Sequence, residues 1–383
     1  MFKRLVGADE ALKLLMERCV PVKRIESLAA LESVGRVLAK EVTSAINLPE
    51  FNRAAMDGFA VRSNDTRSAS LLNPTYVDSF IPIRTGMAIP GGFAAVVMLE
   101  DSSLRGGVLE VNAEVYPYRN VSRIGEDIQK GDTVLKEGHR LRPPDVALLS
   151  ALGAKSVAVY AQPKVAIIPT GGELVAIGSR QLKPGEAFEI NGLMAKLYVE
   201  KWGGIPSLHE IVHDNPELIR SAIESNSDMD MIIVIGGTSV GEKDYAPKVV
   251  DDLGELFVHG IRIQPGKPTA LGMIGDKPVA CLPGYPVAAL SALYLFIRPA
   301  LKRLAHLNEV GPKISARLSR KIASKVGYLS IVRVALVDDD VVPIMSAGAG
   351  ILSSVARADG FVIVPEEREG IEAGETVEIM LIE

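Results

Sequence analysis

Between residues 163 and 304 the chain alternates short apolar runs with amphipathic stretches, and nothing else in the sequence restricts the fold so strongly. A run such as Met231-Ile-Ile-Val-Ile235 has no polar face to offer water. As a strand it must be covered on both sides, the condition of a mostly parallel sheet with helices on its faces. Strands are expected at 164–169, 206–212, 231–235, 256–263 and 278–282, and helices beginning near Asn191, Asn215, Asp244 and Pro286, the last ending near Leu304.

On either side of this α/β region the texture changes. From residue 48 to 138 short strand-like pieces are broken by Pro and Gly, with turns at Arg84-Thr85-Gly86 and Arg105-Gly106-Gly107, as in a small β-rich domain. Residues 143–152 read as a helix, with Pro143-Pro144 at its start and Gly153 past its end. They resume the helical character of the N-terminus, so one domain is expected to be discontinuous. After Gly311 short alternating strands return, with turn clusters at Asp338-Asp339-Asp340 and Ser346-Ala347-Gly348, predicting a small all-β, barrel-like domain. The fold class is multidomain α/β plus β. The expected parts are a discontinuous helical linking domain (1–42 with 128–162), a β-rich insertion (43–127), an α/β domain (163–308) and a C-terminal β domain (309–383).

A chain of 383 residues exceeds what one hydrophobic core organises, and 48% hydrophobic with 23% charged residues is a globular rather than a disordered composition. Cys19 and Cys281 are the only cysteines, which excludes a disulfide framework and a cysteine-built metal site and points to a reducing compartment. Charges interrupt every apolar stretch of the N-terminus, which reads as an amphipathic helix after Asp9 and not as a signal peptide. No segment approaches the roughly 18 apolar residues of a membrane span. A cytoplasmic protein without a membrane partner is expected. The formal charge of −5 argues against non-specific nucleic-acid binding, and leaves a small anion held by local cations and backbone amides.

In open α/β sheets ligands bind where strands end and helices begin. Three such ends here carry rigid Gly/Pro turns. The strand at 231–235 runs into Gly236-Gly237-Thr238-Ser239-Val240-Gly241, followed by Asp244; Gln264-Pro265-Gly266-Lys267-Pro268 follows another strand; and Leu282-Pro283-Gly284-Tyr285-Pro286 precedes a helix. Glycine lets the backbone approach phosphate oxygens, and Lys267 is the obvious cation for an oxyanion. Carboxylates on loops supply hard oxygen atoms suited to Mg²⁺ bound together with a phosphate: Asp57, Asp127, Glu173, Asp214 and Asp244. Some have plainer readings. Asp214, with Glu217 three residues on, has the pattern of a capping box at the start of a helix, and Asp57 could hold a turn before Gly58. His209-Glu210-Ile211-Val212-His213 spells the HExxH zinc motif, but its context is a strand, on which the two histidines stand about 13 Å apart at roughly 3.3 Å per residue. The single Trp202 reads as packing and Asp338-Asp339-Asp340 as a solvated turn.

Taken in order, these motifs resemble the molybdopterin molybdenumtransferases, the family that includes the C-terminal domain of gephyrin, over essentially the whole chain. The carriers are residues 49–62 around Ala55-Met56-Asp57-Gly58, Arg84-Thr85-Gly86, Gly125-Glu126-Asp127-Ile128, Thr170-Gly171-Gly172-Glu173-Leu174, the 236–244 loop, Pro265-Gly266-Lys267-Pro268 and Leu282-Pro283-Gly284. The resemblance implies a homodimer whose α/β domain binds the pterin. It implies a reaction in which adenylylated molybdopterin and molybdate, with Mg²⁺ or another divalent cation, give molybdenum cofactor and AMP. By matching position, Asp57, Thr85, Asp127, Asp214 and Lys267 are implied as catalytic. Gly236, Gly237, Thr238, Ser239, Gly241, Gly266, Pro283, Gly284 and Ser353 are implied to bind the pterin, and Glu173 and Asp244 the cation, with Asp57 coming from the neighbouring subunit. A molybdopterin adenylyltransferase and apo-molybdoenzymes are the implied protein partners. The chain departs from the family pattern at Ala54 (usually Ser), Gly172 (usually Asp), Gln264 (usually basic) and Tyr285 (usually Asn). Those changes fit equally a paralogue that inserts tungsten from tungstate, or a cofactor-binding scaffold or carrier with little catalysis.

Overall fold

The computed structural model describes residues 5–238, 245–307, 313–345, 348 and 350–382. The chain divides into two compact units, Met1–Glu26 with Tyr160–Glu383, and Ser27–Val159. Helix α1 (Ala8–Arg18) belongs to the first, and turns Ala8, Ala11 and Leu15 into the core beneath the α/β sheet.

The Ser27–Val159 unit is mostly β. Gly58–Val61 is the middle strand of an antiparallel trio, flanked by Phe80–Ile83 and Ala95–Met98. A second trio is built from Thr75–Val77, Val108–Val111 and Ser102–Arg105. Val61, Val77, Ala95, Val97, Leu109 and Val111 form a shared core. Gly58 has to be glycine, since a Cβ there would lie 1.9 Å from the Val97 carbonyl oxygen. Helix α2 (Pro143–Ala151) starts on two prolines, where no amide donor is needed, and packs Leu149 against Leu38, Leu141 and Val159.

In the first unit six strands form one sheet: β1 (Lys164–Pro169), β2 (Ile205–Leu208), β3 (Met231–Ile235), β4 (Glu255–His259), β5 (Ala270–Ile274) and β6 (Lys277–Leu282), in the order β2-β1-β3-β6-β5-β4. The β2-β1, β1-β3 and β3-β6 pairs are parallel; β6-β5 and β5-β4 are antiparallel. Helices α3 (Asn191–Lys201), α4 (Pro216–Glu224), α5 (Tyr245–Leu253), α6 (Pro286–Ala292) and α7 (Arg298–Leu304) cover both faces. The apolar runs are continuous because alternate residues serve opposite cores. Val165, Ile167, Met231, Ile233 and Ile235 pack on the side of α1, α3, α6 and α7, while Ala166, Ile168, Ile232 and Val234 pack on the side of α4 and α5. Each larger side chain so covered contributes on the order of 1.5–3 kcal/mol. Trp202 lies in the first of these cores, stacked on Tyr198 at 4.9 Å and edge-on to Tyr294 at 5.3 Å, a packing residue as expected.

Two expected strands end early. The strand expected at 206–212 stops at Leu208, because the register with β1 slips: Ile167 faces Leu208, but Thr170 faces Val212, so one extra residue is looped out between them. No helix forms at His209–His213, in keeping with the rejection of a zinc motif. The strand expected at 256–263 leaves the sheet at His259, and Ile263–Gln264 instead pairs in parallel with a strand of the C-terminal domain.

That domain consists of β7 (Lys313–Leu318), β8 (Leu329–Val337), β9 (Asp340–Met345), β10 (Gly360–Val364) and β11 (Thr376–Leu381). The order is β8-β9-β7-β11-β10, and β10 pairs back onto β8. This closes a five-stranded barrel without an open edge around Val332, Val334, Val341, Val362, Val377 and Ile379. A short helix, α8 (Leu352–Ala356), precedes β10. Among the described residues no helix is long and apolar enough to cross a membrane.

Candidate functional site

The parallel strands β1, β3 and β6 end side by side, at Pro169, Ile235 and Leu282, and the turns that follow are laced to their neighbours. Thr170 donates its amide to the Ile235 carbonyl at 2.7 Å, and Gly236 donates its own to the Leu282 carbonyl at 3.0 Å. Gly236 has φ +101°, and a Cβ on it would come within 2.2 Å of the Thr170 carbonyl oxygen, so this crossing of turns admits only glycine. Outside the strand ends lies a cleft of about 470 Å³ lined by Thr170, Gly171, Glu173, Leu174, Glu189, Asn191, Asp214, Ile235, Gly236, Gly237, Thr238, Pro268, Pro283, Gly284 and Tyr285. It is the carboxyl-end crevice where open α/β sheets bind ligands.

Of the residues singled out in the sequence, Glu173, Asp214, Gly236, Gly237, Thr238, Pro283 and Gly284 meet in this cleft. Gly236 contributes shape alone, its amide being committed to Leu282. The amides of Gly237, Thr238 and Gly284 make no hydrogen bond with any described residue. Lys267, Gly266 and Ser353 do not line it. Lys267 is exposed beside the cleft residue Pro268, and its carbonyl accepts the Ile261 amide at 2.9 Å. Gly266 is buried, with no room for a Cβ beside Ile263. Ser353 is exposed on α8, its carbonyl accepting from Arg357 Nε at 3.2 Å. Ser239, Gly241 and Asp244 lie outside the described residues.

The capping-box reading of Asp214 is corrected by the structure. Asn215 caps α4, its side chain accepting the Glu217 and Leu218 amides at 2.8 and 3.1 Å. Pro216 occupies the first helical position and forces the residue before it into extended backbone, the conformation of a cap, so the cap falls one residue later than Asp214. Asp214 is released to the cleft, where its Oδ2 accepts the Gly172 amide at 3.3 Å.

Glu189 and Asn191 line the cleft although the sequence reading did not single them out. Both are buried at the start of α3; Asn191 donates from Nδ2 to the Gly284 carbonyl at 2.6 Å, tying the helix to the turn after β6. The signal in the sequence was the start of a helix near Asn191, since helix starts in an open α/β sheet border its ligand crevice.

The remaining candidates belong to the Ser27–Val159 unit. Asp57, at the turn before Gly58, accepts from the Thr85 amide at 2.7 Å and from the Thr85 hydroxyl at 2.9 Å, both through Oδ1. These two bonds, helped by the charge of Arg84, hold its carboxyl below the usual carboxylate range. Asp127 is exposed on its loop, with its amide donating to the Leu48 carbonyl at 3.1 Å.

A divalent cation is compatible with the donor set of the cleft. Among the described residues no three His, Cys, Asp or Glu side chains stand close enough to hold a metal ion together. Glu173 and Asp214 are nonetheless hard oxygen donors, and Mg²⁺ is commonly held by one or two carboxylates together with substrate phosphates.

Three family models together match nearly the whole chain: the MoeA N-terminal region (domain I and II) over residues 6–153, a probable molybdopterin binding domain over residues 166–303, and the MoeA C-terminal region (domain IV) over residues 315–382. A relative from Methanocaldococcus jannaschii is 36% identical, with 100% of this chain and 99% of its own covered. The molybdopterin molybdenumtransferase of Haemophilus influenzae is 32% identical, with 97% of each chain covered. Among solved structures, the molybdopterin biosynthesis MoeA protein of Pyrococcus horikoshii superposes with a TM-score of 0.86 at 35% identity, covering 99% of both chains. With its three regions matched in order and relatives above 30% identity along their whole length, this chain belongs to the MoeA family.

Proposed function

We propose that the chain is a molybdopterin molybdenumtransferase: it binds adenylylated molybdopterin at the carboxyl ends of β1, β3 and β6 and transfers molybdenum from molybdate to the dithiolene, releasing AMP. The observation that carries this reading is the cleft itself. Backbone amides of Gly237, Thr238 and Gly284 that bond to no described residue line the strand ends together with the carboxylates Glu173 and Asp214, in a member of a family whose relatives bear that name.

The amides suit a pyrophosphate, which is anionic and accepts from several donors at once. Glu173 and Asp214, with Asp244, would hold Mg²⁺ or another divalent cation, which when bound supplies charge neutralisation at the phosphate. Lys267, beside Pro268, adds a positive charge for the oxyanion that leaves as AMP. Binding molybdate next to the dithiolene makes cleavage and metal transfer neighbouring events, and the gain from such placement is one of proximity. In a homodimer, Asp57 of the partner subunit completes the set, delivered ionised by its two bonds from Thr85.

The test is AMP release by the purified protein from adenylylated molybdopterin and Mg²⁺, with molybdate, tungstate or neither. Release that depends on an oxyanion and restores activity to an apo-molybdoenzyme supports the transferase and names its metal. Tight binding without release moves the assignment to a carrier.

A further inference from the structure

Glu189 stands in the wall of the cleft without a task in the chemistry proposed for it. It is 7% exposed, and a carboxylate is seldom so deeply buried without partners for its oxygens. One oxygen has a partner: Oε1 accepts the Gly192 amide at 2.6 Å in the first turn of α3. Oε2 accepts no hydrogen bond from any described residue, although the side chain lines the cleft. Next to it Asn191, 8% exposed, has its Nδ2 committed to Gly284, and its Oδ1 is buried without a hydrogen bond to any described residue. Asn191 Oδ1 is closed off from the cleft, so this stretch of wall presents the Glu189 carboxylate as its acceptor and, among the described residues, no unused side-chain donor; a ligand edge placed against it must donate.

We infer that Glu189 reads the donor edge of a 2-amino-4-oxo pyrimidine ring, the ring N–H and exocyclic amino group that lie side by side on a pterin. The inference rests on the pterin reading of the cleft and deepens it. A carboxylate meets two adjacent N–H donors with matching geometry, and Oε1 has a second lone pair left beyond the Gly192 bond. Tyr285, 66% exposed on the same cleft, offers an aromatic face for a flat heterocycle. Edge and face together select a planar ring with donors on one side, and reject a ring that turns a carbonyl toward Glu189, because oxygen would then meet oxygen.

The experiment compares pterin with lumazine, the pteridine in which oxygen replaces the 2-amino group, by titrating their own fluorescence against the dimeric or monomeric protein as purified. Wild type should prefer pterin by about ten- to a hundred-fold, the loss expected when a hydrogen bond to a charged group is removed. Glu189→Gln keeps an acceptor for Gly192 and adds an N–H that can donate to the lumazine carbonyl, so the preference should collapse or invert. Glu189→Asp keeps the charge and should keep the preference with weaker binding. A purely structural role for Glu189 would weaken both ligands alike and leave their ratio unchanged. Equal binding of the two by wild type, or an undiminished preference in Glu189→Gln, overturns the inference while the pterin cleft stands. Failure of wild type to bind either pteridine removes the pterin reading itself. If Glu189→Gln does not fold, judged by Trp202 fluorescence, the wild-type and Glu189→Asp ratios decide the matter.

Discussion

Gly236→Ala places a methyl group where the turn after β3 crosses the turn after β1. The added carbon would sit 2.2 Å from the Thr170 carbonyl oxygen, whereas ordinary contact begins near 3.4 Å, so one backbone must yield by 3.4 − 2.2 = 1.2 Å. Thr170 cannot retreat freely, since its amide is bonded to Ile235 at 2.7 Å and ties β1 to β3. The φ of +101° adds about 1–2 kcal/mol for any residue with a side chain, and forced overpacking adds about 1–3 kcal/mol. A loss of about 2–5 kcal/mol from the α/β domain is expected. The control is Gly172→Ala in the same cleft, where φ is not positive and the nearest atom, Asp214 Oδ2, is 4.0 Å away; this change should cost less than about 0.5 kcal/mol. The assay is urea denaturation followed by tryptophan fluorescence. Trp202 is the only tryptophan and is buried in the core of this domain, so the signal reports its unfolding and no other. If the two alanine variants unfold at the same urea concentration, the crossing of turns does not constrain this position.

Asp214 and Asn215 should separate cleanly. Asn215→Ala removes the cap of α4 and should cost about 1 kcal/mol without abolishing AMP release. Asp214→Ala should leave urea stability nearly unchanged while release is lost, and the reverse pattern would return Asp214 to the cap. For Asp57, the bonds from Thr85 favour the ionised form in the folded protein. Their stabilisation is fully present above the unfolded carboxylate pKa and is lost as pH falls through the lower folded value. Carboxyl-carbon NMR should show Asp57 titrating below ordinary aspartates, and Thr85→Val, which keeps the amide bond and loses the hydroxyl, should shift it upward. An unmoved titration would show that the hydroxyl bond does not exist in solution.

The interior of the sheet is legible in the apolar runs alone. Lys164–Pro169 and Met231–Ile235 are strands where their apolar runs placed them, because a parallel strand covered on both faces has no polar position to blur its limits. The sequence also brought Glu173, Gly236, Pro283 and Gly284 to strand ends, and strand ends of one sheet converge. What followed from contacts distant in sequence was decided by the tertiary structure. The strand Ala270–Ile274 does not stand out although a Gly275-Asp276 turn joins it to Lys277–Leu282, since Gly272 interrupts a short apolar run that follows the Pro265-Gly266-Lys267-Pro268 turn, and its place is fixed by pairing with both neighbours. Asp214 and Asn215 are adjacent, similar side chains, and only the placement of Pro216 and Gly172 sends one to the cleft and the other to the cap. Glu189 looks like any glutamate ahead of a helix. It becomes a buried acceptor facing a cleft only when α3 packs on the sheet and Asn191 binds Gly284, because burial belongs to the assembled layers and is not written in any one segment.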